Sequence, residues 1–292
     1  MDLATLIKEQ KTVLLDGAMG TELEKAGKEM GGRSNISDPD AVLAIHTRYA
    51  GAGVDILIAN TFSMNRINIE QHNIEVDLRQ VNAAGVSLAR AVAHEKQCVL
   101  GDIGSIGKLL KPYGPIPEEN AYAAFKEQAA ILAECRVDGF IVETMFDLRE
   151  ALLALRACRE AADLPVIVSM SFSTDKRGGR TVMGNSALDC ARALSEAGAF
   201  AVGANCGDID PVQMSRLISI MREVTEVPIV AQPNAGRPKV VDNRTVFDMS
   251  PSQFAEGVEL CLRAGAQIIG GCCGTTPSHI AALVPLVRSH SE

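Results

Sequence analysis

The sequence predicts an α/β protein that folds as a single-domain (β/α)8 TIM barrel over residues 1–292. Two observations predict this fold class. A short apolar run recurs eight times along the chain, and successive runs begin about 30 to 45 residues apart, the length of a strand, a helix and two loops. The runs are also almost continuously apolar, as parallel strands covered by helices on both faces are.

Each predicted strand runs into polar or small residues at its end. In chain order the strands are VLLDGAMG (13–20), VDILIANT (54–61), CVLGDIGS (98–105), VDGFIVET (137–144), PVIVSMSF (165–172), FAVGANCG (200–207), PIVAQPNAG (228–236) and QIIGGCCG (267–274). The segments between them have the composition of helices, and apolar residues lie on one face of residues 119–133 and 148–161. A further helix is predicted over residues 41–52.

Proline marks three of the predicted helix starts. Proline fits the first position of a helix because the N–H that it lacks would have no partner there, and the residue before it can cap the helix. The three pairs are Asp38–Pro39, Asp210–Pro211 and Ser250–Pro251.

An open, doubly wound sheet is the alternative architecture. Such a sheet binds a dinucleotide through G-x-G-x-x-G after its first strand. The first predicted strand leads instead into DGAMGT (16–21), which favours the barrel. No linker, low-complexity tract or charge block predicts a second domain.

Composition narrows the possible functions. Hydrophobic residues make up 47% and charged residues 22% of the chain, as in soluble globular proteins. A net charge of −8 without a dense Lys/Arg run argues against a nucleic-acid partner. No apolar run approaches the roughly 18 residues of a membrane span, and MDLATLIKEQK at the start is not typical of a signal peptide. We therefore expect a cytoplasmic protein with reduced cysteines.

The polar residues at the strand ends are the candidate site, because barrel enzymes place their active sites at the carboxyl ends of the strands. In chain order these residues are Asp16, Asn60 and Thr61, Asp102, Glu143, Ser169 or Ser171, Asn205 and Cys206, Gln232 and Asn234, and Cys272 and Cys273.

Three of the eight cysteines fall at these strand ends, namely Cys206, Cys272 and Cys273. Three thiolates converging on one rim suit Zn²⁺, with a fourth position left open. The alternatives are unconnected loop cysteines, a disulfide between the adjacent Cys272 and Cys273, or a cysteine nucleophile that uses no metal. The other five are expected to be small buried hydrophobic residues: Cys98, Cys135, Cys158, Cys190 and Cys261.

Several motifs together resemble the homocysteine S-methyltransferase family, with the greatest likeness to the homocysteine-binding module of cobalamin-dependent methionine synthases. The most specific are GANC (203–206) and GGCCGTTP (270–277). They are supported by LDGAMGTEL (15–23), ANTF (59–62), VET (142–144) and PNAG (233–236). The resemblance covers the chain from about residue 14 to about residue 286.

This resemblance implies a zinc-dependent thiol methyltransferase on a (β/α)8 barrel. Cys206, Cys272 and Cys273 match the family's zinc ligands, and the sulfur of homocysteine takes the fourth position on one Zn²⁺ per chain. Asp16 and Glu143 would hold the amino group of homocysteine, and backbone amides of the Gly17–Gly20 turn its carboxylate. The expected substrate contacts are Asp16, Gly17, Ala18, Thr61, Glu143 and Asn234, of which Asn234 matches a residue that lies near the metal when substrate is absent.

The methyl donor is expected to be a methylcorrinoid, such as methylcobalamin, carried by a separate partner protein, since the sequence ends soon after its eighth unit. S-methylmethionine or another small donor is the main alternative, with a selenol such as selenocysteine as a possible acceptor. The other alternative is that the protein is a non-catalytic zinc- and thiol-binding subunit. The absence of Trp argues against aromatic recognition of betaine. The basic loop STDKRGGRTVMGNS (173–186) is interpreted as a mobile lid or a docking surface.

Overall fold

Ten strands are present in the computed structural model, which describes residues 3–241 and 244–291. They are β1 Val13–Leu14, β2 Ile56–Ile58, β3 Cys98–Ile103, β4 Gly139–Met145, β5 Val166–Met170, β6 Ala201–Asn205, β7 Ile229–Gln232, β8 Lys239–Val241, β9 Arg244–Val246 and β10 Ile268–Ile269. All except β8 and β9 form one parallel sheet in the order β1-β10-β7-β6-β5-β4-β3-β2. A bridge between Leu15 and Ile56 brings its two edges together. The predicted (β/α)8 barrel is confirmed.

Helices follow the barrel strands and cover their outer face. They are α1 Leu3–Gln10, α2 Gly20–Lys25, α3 Ser34–Ser37, α4 Pro39–Gly51, α5 Arg66–Gln71, α6 Leu78–Val92, α7 Glu118–Glu134, α8 Leu148–Ala161, α9 Ala187–Glu196, α10 Pro211–Arg222, α11 Pro251–Arg263 and α12 Pro277–Ser291. No helix in the described ranges is both long and apolar enough to cross a membrane.

Alternation along the strands divides the apolar side chains between two cores. In β4, Phe140 and Val142 belong to the large core between strands and helices, while Ile141 belongs to a second core inside the barrel. Successive strand residues point to opposite faces, so a continuously apolar strand supplies both cores at once. This explains why the strand sequences lack a polar face.

The first helix, α1, closes the amino-terminal opening of the barrel. Its apolar residues Leu3, Leu6 and Ile7 are buried in the interior core, together with the inward-facing strand residues. Their i, i+3, i+4 spacing places them on one helical face. The barrel interior is therefore filled from this end among the described residues.

Two of the three proline-marked helix starts have the predicted caps. Asp210 and Ser250 both form capping boxes, in which the side chain accepts from the backbone N–H three residues on. Pro39 begins α4 as predicted, but the side chain of Asp38 makes no capping hydrogen bond. It pairs with Lys28 instead, so the predicted cap at Asp38 is wrong.

The loop after β7 contains an antiparallel ribbon, β8–β9, that the sequence did not predict. Val240 and Val241 are exposed on it.

The loop 173–186 is held by hydrogen bonds to neighbouring helices. Asp175 accepts hydrogen bonds from Gln213 Nε2 (2.9 Å) and Arg216 Nη1 (2.6 Å) on α10, and Asn185 accepts from the N–H of Leu148. These contacts join the loop to α10 and to the start of α8, and its role as a mobile lid or a docking surface stays a prediction.

Candidate metal centre and substrate cavity

A polar layer lies directly above the apolar interior of the barrel. On four strands, the residue two positions after the last interior apolar residue is polar, and alternation turns it inward as well. These pairs are Leu100 and Asp102, Ile141 and Glu143, Ile167 and Ser169, and Val230 and Gln232. The floor of the barrel mouth is therefore built from strand residues, which hold their side chains more rigidly than loops do.

A cavity of about 400 Å³ opens above this layer. Its chemically active lining consists of Asp102, Glu143, Cys206, Cys272 and Cys273, and its apolar wall includes Met19, Met30, Ile58 and Phe62. A wider groove of about 620 Å³ lies between α8 and the start of β5. It contains none of the predicted site residues, and we regard the smaller cavity as the candidate site.

The three predicted zinc ligands come together at one edge of the cavity. Their sulfur atoms all lie within 4.8 Å of one another, the one such cluster found among the described residues. The Sγ atoms of Cys206 and Cys273 are 3.9 Å apart. All three cysteines are free, so the structure contains no disulfide between Cys272 and Cys273.

Irregular backbone aims these thiols at one point. Cys206 has a φ of +56°, a left-handed conformation that costs roughly 1 to 2 kcal/mol outside glycine. The Cys206 N–H donates to the carbonyl of Gln232 (3.2 Å), which helps to hold it there. Beyond β10 the chain turns, and the N–H of Cys272 donates to the carbonyl of Pro233 (2.9 Å). Consecutive side chains can therefore face the same point.

The spacing of the thiols fits zinc. A tetrahedral site with Zn–S bonds of about 2.3 Å separates its sulfur atoms by about 3.8 Å, close to the distance found between Cys206 and Cys273. Three cysteines leave one of four positions for another ligand, as in catalytic zinc sites. Cys206, Cys272 and Cys273 are therefore the residues that could hold the metal.

The thiols share charge unequally before a metal binds. Hydrogen bonds from Cys272 and Cys273 lower the pKa of Cys206 to about 3. The same contact with Cys206 raises the pKa of both partners. Cys206 is thus the first of the three thiols to ionise, and a metal that binds all three as thiolates must displace the protons of Cys272 and Cys273.

Asn205 links the thiols to the strand that carries Glu143. Its Oδ1 accepts from the N–H of Thr144 (2.8 Å) and from Ser169 Oγ (2.8 Å), and its Nδ2 donates to Thr144 Oγ1 (2.7 Å). Thr144 has a φ of +58°, which is unfavourable for a β-branched residue. The same Nδ2 lies 3.8 Å from the Sγ of Cys272. Sequence reasoning placed Asn205 at a strand end but did not assign this linking position to it.

Of the two predicted ammonium-binding carboxyls, Glu143 lines the cavity and accepts from Gln232 Nε2 (3.4 Å), whereas Asp16 is buried and does not line it. Asp16 Oδ2 accepts from the N–H of Ile58 (3.0 Å) while its Oδ1 has no partner. Burial raises the pKa of Asp16 well above its usual range, and burial together with the charge of Cys206 raises that of Glu143 to about 7. Buried carboxyls without a cationic partner are costly, so a ligand that carries positive charge would be favoured here.

The turn after β1 lines the cavity with backbone. Gly17, Ala18, Met19 and Gly20 all border it. A Cβ at Gly17 would lie 2.7 Å from Thr275 Oγ1, so glycine allows the turn to pack closely. The N–H of Ala18 already donates to Thr275 Oγ1 (3.1 Å). That amide is therefore engaged within the protein, whereas Gly17 itself faces the cavity.

The other two predicted substrate contacts differ in position. Asn234 lies beside the thiols, where its side chain contributes a hydrogen bond that lowers the pKa of Cys206. Thr61 is fully buried and does not line the cavity. Its Oγ1 donates to the carbonyl of Asp102 (2.8 Å) and accepts from the N–H of Asp102 (3.0 Å). The Thr61 hydroxyl therefore fixes the end of β3 instead of facing a ligand.

The fold and the site together define a (β/α)8 protein with three clustered cysteines, able to hold a metal ion, beside an acidic cavity. Comparison with known proteins gives the family. The model of the homocysteine S-methyltransferase family matches residues 13–287. The chain belongs to this family of enzymes.

Curated relatives include two methionine synthases. That of Mycobacterium leprae (strain TN) is 29% identical over 299 residues, and that of Mycobacterium tuberculosis (strain ATCC 25618 / H37Rv) is 29% identical over 308 residues. The matches cover 95% and 97% of this chain but 24% and 25% of the relatives. The chain thus spans about a quarter of their length.

Solved structures with the same fold include the homocysteine methyltransferase MmuM from Escherichia coli. Its metallated form has a TM-score of 0.81 at 22% identity, with 97% of this chain and 99% of that chain covered. Its apo form has a TM-score of 0.75 at 23% identity, with 97% and 98% covered. At this identity the likeness supports the fold.

Proposed function

We propose that the chain is a zinc-dependent homocysteine S-methyltransferase that produces methionine. Cys206, Cys272 and Cys273 hold the zinc, and the homocysteine sulfur takes the open position. The observation that carries this proposal is the convergence of three thiols within 4.8 Å at the edge of an acidic cavity. Family membership supports the reaction type, and the metallated form described for the E. coli neighbour supports a metal at these thiols.

Bound zinc would lower the pKa of the homocysteine thiol, which is ordinarily about 8.5, so that the nucleophilic thiolate is present at neutral pH. The chain's own residues orient the rest of the molecule. Asp16 and Glu143 accept hydrogen bonds from the ammonium group, whose charge offsets the cost of burying them. The turn that contains Gly17 and Ala18 lies beside the carboxylate, and Asn234 lies beside the metal-binding thiols.

For the methyl donor we favour a methylcorrinoid, such as methylcobalamin, carried by a partner protein. Large apolar side chains are exposed on several loops that follow the barrel strands, including Tyr113, Val182 and Val240. These loops lie at the end of the barrel where the cavity opens, and a contiguous apolar patch formed by them would mark a protein-binding surface. The motifs that resemble the homocysteine-binding module of cobalamin-dependent methionine synthases support the same donor class.

A small cationic donor, such as S-methylmethionine, is the second candidate. The observation that favours it is charge. Asp102 and Glu143 line the cavity together with three thiols, and none of its described lining residues is Lys, Arg or His. A sulfonium ion would be attracted by this charge. The same sulfur site would also accept a selenol in place of the thiol.

A donor panel tests these proposals. Zinc-loaded protein is incubated with homocysteine and, in turn, methylcobalamin, a methylcorrinoid protein, S-methylmethionine and betaine, and methionine is measured. We expect turnover with the corrinoid donors and none with betaine. Turnover with S-methylmethionine and with none of the other donors would show that the second candidate is the donor. A lack of methionine with every donor, while homocysteine still binds the zinc protein, would indicate a zinc- and thiol-binding subunit instead.

A further inference from the structure

Asp102 is a third carboxyl at the cavity, and the proposed function gives it no role. It ends β3, it lines the cavity, and only 5% of its surface is exposed. Its Oδ1 has no hydrogen-bond partner among the described residues. Buried polar atoms are nearly always hydrogen-bonded in native proteins, so the unpartnered oxygen of Asp102 points to a ligand that donates to it.

The three carboxyls come from one side of the barrel: Asp16 follows β1, Asp102 lies on β3 and Glu143 on β4. Asp16 reaches β2, where it accepts from the N–H of Ile58. Asp102 lies on the next strand, β3, and is paired in register with Ile141 of β4, two residues before Glu143. The charges of Glu143 and Asp16 add to burial in raising the pKa of Asp102, which agrees with their proximity.

We infer that Asp102 is the third acceptor for the ammonium group of homocysteine, alongside Asp16 and Glu143. The inference rests on the proposed function and deepens it. An ammonium group carries three N–H donors, and the three carboxyls from β1, β3 and β4 offer one acceptor to each. Thr61 would serve this arrangement by fixing the backbone of Asp102 with two hydrogen bonds.

Gln232 is the competing acceptor, because its Oε1 is also unpartnered. It lies on β7, however, between β6 and β10, whose ends carry the thiols. In the ring of eight strands β7 is opposite β3, and Gln232 Nε2 already donates to Glu143 Oε2 (3.4 Å), so Gln232 lies between the thiols and Glu143. It is also neutral, and hydrogen bonds from an ammonium group to charged acceptors are about twice as strong as those between neutral groups.

Asp102 would therefore help to select thiols that carry an amino group over thiols that do not. The test compares homocysteine with 4-mercaptobutyrate, which has the same thiol and carboxylate without the amine. Both are titrated calorimetrically into zinc-loaded wild-type protein and into Asp102→Asn, after zinc content has been checked. We expect homocysteine to bind the variant about 10- to 100-fold more weakly, as for loss of a charge-assisted hydrogen bond. Binding of 4-mercaptobutyrate should be unchanged or tighter.

Glu150→Gln is the matched control, because Glu150 is another buried carboxyl but does not line the cavity. It should leave the ratio of the two affinities at the wild-type value. If Asp102→Asn fails to bind 4-mercaptobutyrate, the site has been disturbed, and the smaller Asp102→Ser then decides by the same ratio. An unchanged ratio in the variant that retains the site overturns the inference about Asp102. Absence of zinc-dependent homocysteine binding in the wild type overturns the proposed function itself.

Discussion

The cavity mouth has two sides that are built in different ways. On the thiol side, formed by β6, β7 and β10, the ligands are positioned by irregular backbone, including the left-handed Cys206. On the carboxylate side, formed by β2, β3 and β4, Asp102 is placed by plain strand alternation, whereas Glu143 lies at a register shift of β4 beside the left-handed Thr144. The thiols are also partners to one another, whereas Asp16 and Asp102 have unpartnered oxygens. The thiol side is thus organised to bind a compact ion, and the carboxylate side to bind a group that carries hydrogen-bond donors.

Removing one thiol should have the largest effect. Cys206→Ala leaves two sulfur ligands, and we expect loss of zinc and of methyl transfer together, beyond the roughly 10- to 100-fold cost of losing a residue that only supports a metal ligand. Metal content is measured by elemental analysis of freshly purified, reduced protein. Cys135→Ala, outside the site, should retain zinc. Full metal content in Cys206→Ala would refute the site.

A change behind the thiol side tests its dependence on backbone. A Cβ at Gly203 would lie 1.9 Å from the carbonyl oxygen of Val230, so Gly203→Ala must displace β6 or β7. We expect a loss of about 3 kcal/mol in the free energy of unfolding and weaker zinc binding, because Cys206 follows on the same strand. Denaturant unfolding and a zinc competition assay measure the two effects.

Gly51→Ala is the control for this substitution. No atom lies within 4 Å of its added Cβ, and alanine favours the helical conformation by up to about 1 kcal/mol over glycine. This variant should be as stable as the wild type or slightly more so. Equal unfolding midpoints for Gly203→Ala and the wild type would show that β6 adapts freely and that its backbone does not fix the thiols.

On the carboxylate side, Glu143→Gln should separate substrate binding from metal binding. The glutamine keeps the size of the side chain but removes its charge, and we expect homocysteine to bind about 30-fold more weakly, the equivalent of about 2 kcal/mol. Zinc content should stay at the wild-type level. Titration calorimetry of the zinc protein gives the affinity, and parallel loss of zinc would contradict the division between the two sides.

A buried carboxyl behind the carboxylate side gives the smallest effect. Glu150 accepts from the N–H of Ile106 (2.7 Å), and burial raises its pKa from 4.5 to about 7. Between these values the folded protein binds more protons than the unfolded chain, so stability falls as the pH rises. Relative to Glu150→Gln, the wild type should lose about 2 kcal/mol between pH 5 and pH 8. If the wild type and Glu150→Gln unfold with the same pH dependence, the raised pKa of Glu150 is disproved.

The fold was predictable because each strand is an uninterrupted apolar run whose side chains pack into two cores. The ribbon β8–β9 was not, since its exposed Val240 and Val241 belong to no core and its three-residue strands pair only with each other. The burial of α1 was also missed, although Leu3, Leu6 and Ile7 follow helical spacing. A short helix gains its position from the surface that it covers, and that surface comes from distant strands.

The meeting of the thiols was predictable, because the barrel brings the ends of distant strands to one rim. Side-chain direction was not, since a position at a strand end does not fix which way a residue faces. Thr61 follows β2 at the rim, yet its hydroxyl turns to the backbone of Asp102. Asp102 was read as a rim residue only. Its two-residue offset from the interior Leu100, the same as that of Glu143 from Ile141, was the signal that could have marked it as a cavity residue.

The closure of the barrel by α1 has a consequence for the order of events during turnover. Because the interior core and α1 fill the amino-terminal end, the cavity has its entrance only at the carboxyl ends of the strands. Under the proposed function, homocysteine and the donor must use the same entrance. A donor carried by a partner protein would cover this entrance, so homocysteine would have to arrive first, and methionine could leave only after the demethylated partner had withdrawn. With such a donor, the reaction would follow compulsory-order kinetics.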